Sequence, residues 1–354
     1  MIMKYDIAII GLGPGGSTLA RLLSKEYKII AIDKKETLEN GFQKPCGGLL
    51  SSDAQRALAK FNINLPKDVM VDPQIFAVKT IDLKNDLIQH YQRSYINVHR
   101  HKFDIWLKSL IPSHVEVHNN SYCSFIEKTQ DGYKITFNEN GIKKVILTKY
   151  LIGADGANSL VRKTLYPNKK IRTYMSIQQW FIETHPNPFY SCIFDPENTD
   201  CCSWSISKDN HFIFGGAFPI DNGKKAFENQ KRKLEKIGFK FGKPIKTEAC
   251  LVLRPSKLFD FCCGRDNIFL VGESAGFISP SSLEGISSAI NSAYYLSEIL
   301  NSHSKNPNKK YRLKTFNIRL KIFFKLLKCP FMYNSFLRKL VLKSGFQSIE
   351  IVEN

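Results

Sequence analysis

Six residues near the start of the chain, Gly11-Leu12-Gly13-Pro14-Gly15-Gly16, constrain its fold more than any other feature of the 354. An apolar, β-rich run at 5–10 precedes them, and residues 17–24 follow with helical spacing. Residues 28–32 then read as a second strand that ends in Asp33. Strand, glycine turn, helix and strand make a βαβ unit. Its glycines let the backbone turn tightly and let a pyrophosphate approach the helix N-terminus, whose free N–H groups and dipole favour anions. The Asp33 carboxylate is suited to accept from a ribose hydroxyl. The pattern predicts a dinucleotide site and leaves FAD and NAD both open.

Further along, Ser52 and Gln55 have the spacing of a capping box, which predicts a helix near 52. Another helix is expected near His101, with Phe103, Trp106, Leu107 and Leu110 on one face and Pro112 as its stop. From 115 to 152 the chain changes to short alternating runs, with hairpin signals at Asp131-Gly132 and Asn140-Gly141. Runs at 175–184, 190–194, 201–207 and 212–218 continue that style, and a helix at 224–237 interrupts it. After 265 a buried strand (267–271) and a long helix (284–300) restore the parallel-sheet signature. The chain should therefore leave its first domain and return to it. The expected class is α/β: a discontinuous Rossmann-like domain (1–75, 97–170 and 256–301), an antiparallel-sheet α+β substrate domain (76–96 and 171–255) and a basic helical tail (302–354).

Composition narrows the function classes. A 43% hydrophobic chain of this length is globular rather than disordered, and no run approaches the 18 to 20 apolar residues of a spanning helix. The start lacks a small-residue cleavage site, so no secretory signal is expected. Nine cysteines, with adjacent pairs at Cys201-Cys202 and Cys262-Cys263 and no CxxC, predict a reduced cytoplasmic chain without a disulfide framework or metal site. The net charge is +19, and residues 299–349 hold twelve Lys and Arg and no Asp or Glu. Such a patch faces something anionic or water. No nucleic-acid module accompanies it, so nucleic acid is a poor partner. Ile318, Leu320, Ile322, Phe323, Phe324, Leu326 and Leu327 interleave with Arg319, Lys321, Lys325 and Lys328. That pattern suits an amphipathic helix on an anionic membrane, through 305–343, and slightly better a helix docked on the protein with solvated lysines. A monomer is expected.

Two later segments address the cofactor. One is Leu151-Ile152-Gly153-Ala154-Asp155-Gly156-Ala157-Asn158-Ser159; the other is Asn267-Ile268-Phe269-Leu270-Val271-Gly272-Glu273-Ser274-Ala275-Gly276-Phe277, continued by Ser279-Pro280-Ser281-Ser282-Leu283-Glu284-Gly285-Ile286. With the first glycine motif they resemble, in order and spacing, the three FAD signatures of glutathione-reductase-type flavoproteins that share the hydroxybenzoate-hydroxylase fold. Three further features resemble the geranylgeranyl reductase family: Lys44-Pro45-Cys46-Gly47-Gly48-Leu49-Leu50-Ser51, Arg100-His101-Lys102-Phe103-Asp104-Ile105-Trp106-Leu107, and the run at 276–286. Gly215-Gly216-Ala217-Phe218-Pro219, and Glu273 where that superfamily usually has Asp, look most like its CbrA-type bacterial branch. The likeness spans residues 1–300 and leaves the tail unassigned.

The resemblance implies roles. Gly11, Gly13, Pro14, Gly15 and Gly16 would bind pyrophosphate and Asp33 the adenosine ribose, with Lys34 a further cofactor contact. Arg100 would reach the phosphate and ribitol region, while Asp155 and Glu273 would hold hydroxyls. Gly285 and Ile286 would present N–H groups to flavin N1 and O2. Gly47, Gly48, Gly156, Gly272, Gly276 and Phe277 would complete the cofactor contacts. Cys46 would lie near the isoalloxazine, either as a proton donor or as a small residue filling a turn. Trp204 would be a wall of the substrate pocket, or ordinary core. The family carries YxWxFP there, and Cys202-Ser203-Trp204-Ser205-Ile206-Ser207 keeps the Trp alone.

The implied function is reduction of C=C bonds in a prenyl or other hydrophobic substrate. Reduced flavin would give hydride to one carbon and an acid a proton to the other, in a dry site. A single dinucleotide fingerprint implies that NAD(P)H or another donor binds transiently. Two alternatives stay open: an aromatic or polyketide monooxygenase on the same fold, and a non-catalytic flavin-loaded lipid-binding protein. Halogenation is disfavoured, because flavin halogenases carry WxWxIP where this chain has Cys202, Trp204 and Ser207.

Overall fold

The computed structural model describes residues 2–35, 43–182 and 189–352. The glycine motif joins β1 (Met3–Ile10) to α1 (Pro14–Leu22), and β2 (Ile29–Ile32) returns parallel to β1. Every residue of β2 is buried, as expected of a parallel strand covered on both faces. The chain then contributes β3 (Leu49–Leu50), α2 (Ser52–Ala59), β4 (Ile75–Asp82) and β5 (Leu87–Asn97) before α3 (Arg100–Ser109). Helix α2 corrects the capping-box expectation: Ser51 is the cap, accepting from Ala54 N–H at 3.3 Å, and Gln55 instead donates to the Leu50 carbonyl.

Strand β6 (Val115–His118) joins β2, and an antiparallel meander follows, β7 (Ser121–Thr129), β8 (Gly132–Glu139) and β9 (Ile142–Gly153). Strand β9 is the hinge of this sheet. One edge runs parallel to β1 along residues 146–153. The other carries β8 along 142–148 and then, at 151–153, a strand from far downstream.

After α4 (Leu160–Leu165) come β10 (Thr173–Phe181), β11 (Tyr190–Phe194), β12 (Cys202–Lys208), β13 (His211–Phe218), α5 (Gly223–Glu235) and β14 (Lys246–Leu253). The expected strand at 175–184 ends beyond 182, outside the described residues. These strands form a second sheet with β4 and β5. Its register corrects the expectation of a purely antiparallel sheet: β11 runs parallel to β4, from Tyr190 opposite Val78 to Phe194 opposite Asp82. The β4–β5 hairpin arrives from an earlier part of the chain, so no tight turn forces its direction. Helix α5 covers one face of the sheet with Ala226, Phe227 and Leu234, against Phe181, Phe212, Phe214 and Phe218.

Strand β15 (Ile268–Leu270) returns to the first sheet on β9, and α6 (Ile286–Asn301) packs on α1, its Ala293, Leu296 and Leu300 sharing the core with Leu19, Ala20 and Leu23. The tail forms α7 (Pro307–Lys314), α8 (Phe316–Tyr333) and α9 (Ser335–Lys343). It is docked at both ends. The buried Tyr311 hydroxyl donates to Leu270 O at 2.8 Å, and Ile318 and Ile322 join the first core. Arg338 meets Asp82 of β4 through two hydrogen bonds, at 2.7 and 2.9 Å. The tail is not wholly helical: β16 (Ser348–Ile349) pairs with β5 and covers an edge that would otherwise present unpaired backbone groups.

Candidate functional site

The loops after β1, β9 and β15 lie side by side, because Ala154 N–H donates to Ile10 O (2.8 Å) and Val271 N–H to Gly153 O (2.9 Å). They form the crevice at the carboxyl ends of a parallel sheet, where open α/β folds hold ligands. Gly11 has φ +93°, and a Cβ there would sit 2.6 Å from Ala154 O, so the loops close this tightly because that residue is glycine. Gly13 differs. Its φ of −72° suits any residue, and a Cβ would meet nothing within 4 Å. What a side chain would fill is open space at the start of α1, whose cap makes no side-chain hydrogen bond and whose first residue is Pro14. The amides of Gly15 and Gly16 follow in that uncapped first turn. Asp33, at the end of β2, is buried and accepts from Lys108 Nζ at 2.6 Å. Lys34 beside it is exposed.

In the second loop Asp155 accepts from Leu160 and Val161 N–H groups through Oδ2, at 2.7 and 3.3 Å. Its Oδ1 is buried without a partner, and burial pushes the carboxyl above its ordinary value. Gly156 is left-handed at φ +74° and opens toward Glu273. Arg162 binds this loop to the third, donating to Ser274 O at 2.9 Å and to the carbonyls of Gly156 and Ala157. Glu273 accepts from Leu253 N–H at 3.0 Å and pairs with Lys44, so it ties the first sheet to β14 and to the segment bearing Cys46. Burial lowers the Lys44 ammonium, and the Glu273 carboxylate more than reverses this. Gly272 and Gly276 bracket the turn around Glu273, and Phe277 is fully buried behind it. Helix α6 opens at Gly285 and Ile286 with no side chain on its cap; Glu284 Oε1 accepts one residue later, from Ser287 N–H.

Cys46 lies where the two sheets meet. Its sulfur accepts from Gly48 N–H at 3.4 Å and from the Arg100 guanidinium. Arg100 donates to Asp104 at 3.0 Å, and Asp104 also takes Lys35 at 2.6 Å. Burial alone would raise the Asp104 carboxyl; the two cations hold it far below the usual range. On the far side, a Cβ on Gly47 would be 2.8 Å from Ile206 and 3.7 Å from the Trp204 ring. Trp204 is buried, donates to Gln178 Oε1 at 3.2 Å and lies across Gly215, where a Cβ would be 2.8 Å from three ring atoms. Lys208, at the end of the same strand, is buried beside Gly48 and donates to Asn97 Oδ1 and, at 2.7 Å, to Val98 O. Burial pulls its ammonium down to about 7, with Cys46 opposing.

The tertiary structure thus gathers Cys46, Gly47, Gly48, Arg100 and Trp204 in one seam, adjoining the Glu273 loop. Lys44, Lys108, Arg162, Gln178 and Lys208 escaped the sequence reading. Lys44 carried a signal, standing two residues before Cys46 in the same motif. Lys208-Asp209-Asn210 carried none, because it has the composition of an exposed hairpin turn.

The donor set fits a dinucleotide: a clear space over an uncapped helix start, and a buried carboxylate oxygen with capacity for a hydroxyl. The sequence pattern of the family described as FAD binding domain matches residues 113–325, and the chain belongs to that family. The class is an FAD-dependent oxidoreductase. Within it the chain is one of the CbrA proteins, being 52% identical to Protein CbrA of Escherichia coli O9:H4 (strain HS) over 98% of this chain and 94% of that one. It is 51% identical to Protein CbrA of Shigella flexneri serotype 5b (strain 8401) over the same shares. Among solved structures, a geranylgeranyl bacteriochlorophyll reductase-like protein of Thermoplasma acidophilum has TM-score 0.80 at 20% identity, over 96% of this chain and 91% of that one. Pseudomonas aeruginosa PqsL with 2-aminobenzoylacetate has TM-score 0.71 at 15% identity, over 96% and 100%. The flavin-dependent halogenase CmlS has TM-score 0.69 at 16% identity, over 98% and 71%. At these identities the fold alone is shared.

Proposed function

We propose that this protein reduces a C=C bond of a hydrophobic, prenyl-type substrate, with NAD(P)H as a transient electron donor. The observation that carries this reading is the Cys46 thiol at the junction of the FAD loops and the Trp204 strand, in contact with the Arg100 guanidinium. FAD, when bound, supplies hydride transfer. The chain's own part is to hold the cofactor and manage the proton. The first amides of α1 bind pyrophosphate, Asp155 Oδ1 accepts a hydroxyl, and the uncapped start of α6 stabilises negative charge. Trp204 and Ile206 give the seam an apolar wall that keeps water out, which an unpolarised alkene requires. Cys46 Sγ holds the proton for the substrate carbon, beside the Arg100 guanidinium.

The test is turnover of a geranylgeranyl substrate under anaerobic conditions with NADPH, followed by the mass gain of two hydrogens per double bond. Cys46→Ala should keep bound FAD and slow product formation at least tenfold, about 1.4 kcal/mol in the barrier. Product that appears only with oxygen and carries an added oxygen atom would show monooxygenation instead. Unchanged turnover in the variant would leave Cys46 as turn filler.

A further inference from the structure

The tail buries one face and leaves the other bare. Ile318 and Ile322 point into the first core. On the opposite side Leu313, Phe316, Leu320, Phe324, Leu327 and Phe331 are all exposed, with Phe324, Leu327 and Phe331 each 54% accessible. From Phe316 to Phe331 the spacing, three or four residues at every step, places them in one stripe along α8, and Leu313 lies just before it on α7. At 1.5 Å per residue the stripe on α8 is about 22 Å long. Scattered exposed leucines need no explanation, but a continuous row does. Lys321 and Lys328 flank it, both exposed and without an acidic partner among the described residues. Helix α9 adds Phe336 and Leu340, also exposed, with Lys339 and Lys343 close by.

We infer that α7 and α8 form an interfacial helix that seats the protein on an anionic lipid bilayer, with the stripe entering the acyl boundary and the lysines at the headgroups. Charge selects this occupant. A second copy meeting the same face would set Lys321 and Lys328, which have no acidic partner among the described residues, against the same lysines of its neighbour, whereas anionic lipid neutralises them. Among the described residues no helix is long and apolar enough to cross a membrane, so the element lies on the surface. Its position gives the contact a use. Tyr333, the last residue of α8, donates to Ser281 O at 2.6 Å, and Lys325 Nζ is 3.7 Å from Glu284 Oε2. Helix α8 therefore stands between such a bilayer and the loop that leads into α6. The inference itself does not rest on the proposed reaction, since binding is measured without turnover.

The experiment is flotation of the full-length FAD-loaded protein with phosphatidylcholine vesicles, with and without about one-third phosphatidylglycerol, at about 0.1 M salt, where charges still act over roughly 10 Å. The expected result is at least tenfold stronger partitioning onto the anionic vesicles. Phe324→Asp with Leu327→Asp should lower it at least tenfold while FAD content and circular dichroism stay unchanged. Lys321→Glu with Lys328→Glu should lower it similarly and guards against misfolding of the first variant. Equal recovery in the soluble fraction with both vesicle types overturns the inference. Binding that survives the Phe324 and Leu327 changes overturns insertion of the stripe. A dimer in sedimentation, abolished by those same changes and indifferent to vesicles, identifies a second copy as the occupant and overturns it as well.

Discussion

Gly11 and Gly13 show that two residues of one motif answer to different demands. At Gly11 the backbone is left-handed and Ala154 presses against it, so Gly11→Ala strains the fold itself. At Gly13 neither conformation nor neighbours require glycine, and the proposed function assigns the requirement to a ligand over the start of α1. Gly13→Ala should leave the stability of the cofactor-free protein within about 1 kcal/mol, the scale of a changed N-cap. FAD affinity should fall at least tenfold, as read by titration of flavin fluorescence; unchanged affinity would remove the pyrophosphate assignment. Lys208 makes a second prediction. Burial lowers its ammonium from 10.5 to about 7, so between these values the unfolded chain holds a proton that the folded chain has released. Stability therefore rises with pH across that window, and the cost of the buried charge is fully present below about 7. Relative to Lys208→Met, the wild type should gain about 1.4 kcal/mol per pH unit from 7 toward 10 in urea unfolding. A difference independent of pH would mean that Lys208 stays charged in the fold.

Among the elements, α9 depends on one ion pair. Asp82 is inaccessible, and burial alone would raise its carboxyl, but the Arg338 and Asn85 hydrogen bonds hold it below the usual value. Removing the cation strands the carboxylate, so Arg338→Leu should cost about 3 to 5 kcal/mol in unfolding experiments. The same change should loosen β16 from β5 and speed amide exchange at His90 and Tyr91, opposite Ile349 and Ser348. Asp82→Asn added to Arg338→Leu should recover part of the loss; no recovery would point to lost packing instead of the orphaned charge. The tail is thus an integral element with two faces, one closing the core and the sheet edge, the other free. Its sequence carried the amphipathic period and the charge. Which face would be used by the protein depended on where Leu270, Ser281 and Asp82 stood, 41, 52 and 256 residues from their tail partners.

At the scale of the whole molecule, much of the architecture was legible because it is written locally. The βαβ unit follows from an apolar run, a glycine turn and helical spacing within 33 residues, and the meander from Asp131-Gly132 and Asn140-Gly141. The loops after β1, β9 and β15 were legible because each is marked by glycines within a few consecutive residues, Gly11 to Gly16, Gly153 to Gly156 and Gly272 to Gly276. What the sequence by itself determined, then, was most of the elements and the glycine-bearing loops that follow β1, β9 and β15. Tertiary structure alone decided the parallel join of β11 to β4, the seam that sets Cys46 between Arg100 and Trp204, and the burial of Lys208 in what reads as a surface turn. The physical reason is range. Backbone conformation and hydrophobic period act over a few residues, whereas desolvation, ion pairing and the space left by a glycine depend on neighbours that meet only when the chain has closed on itself.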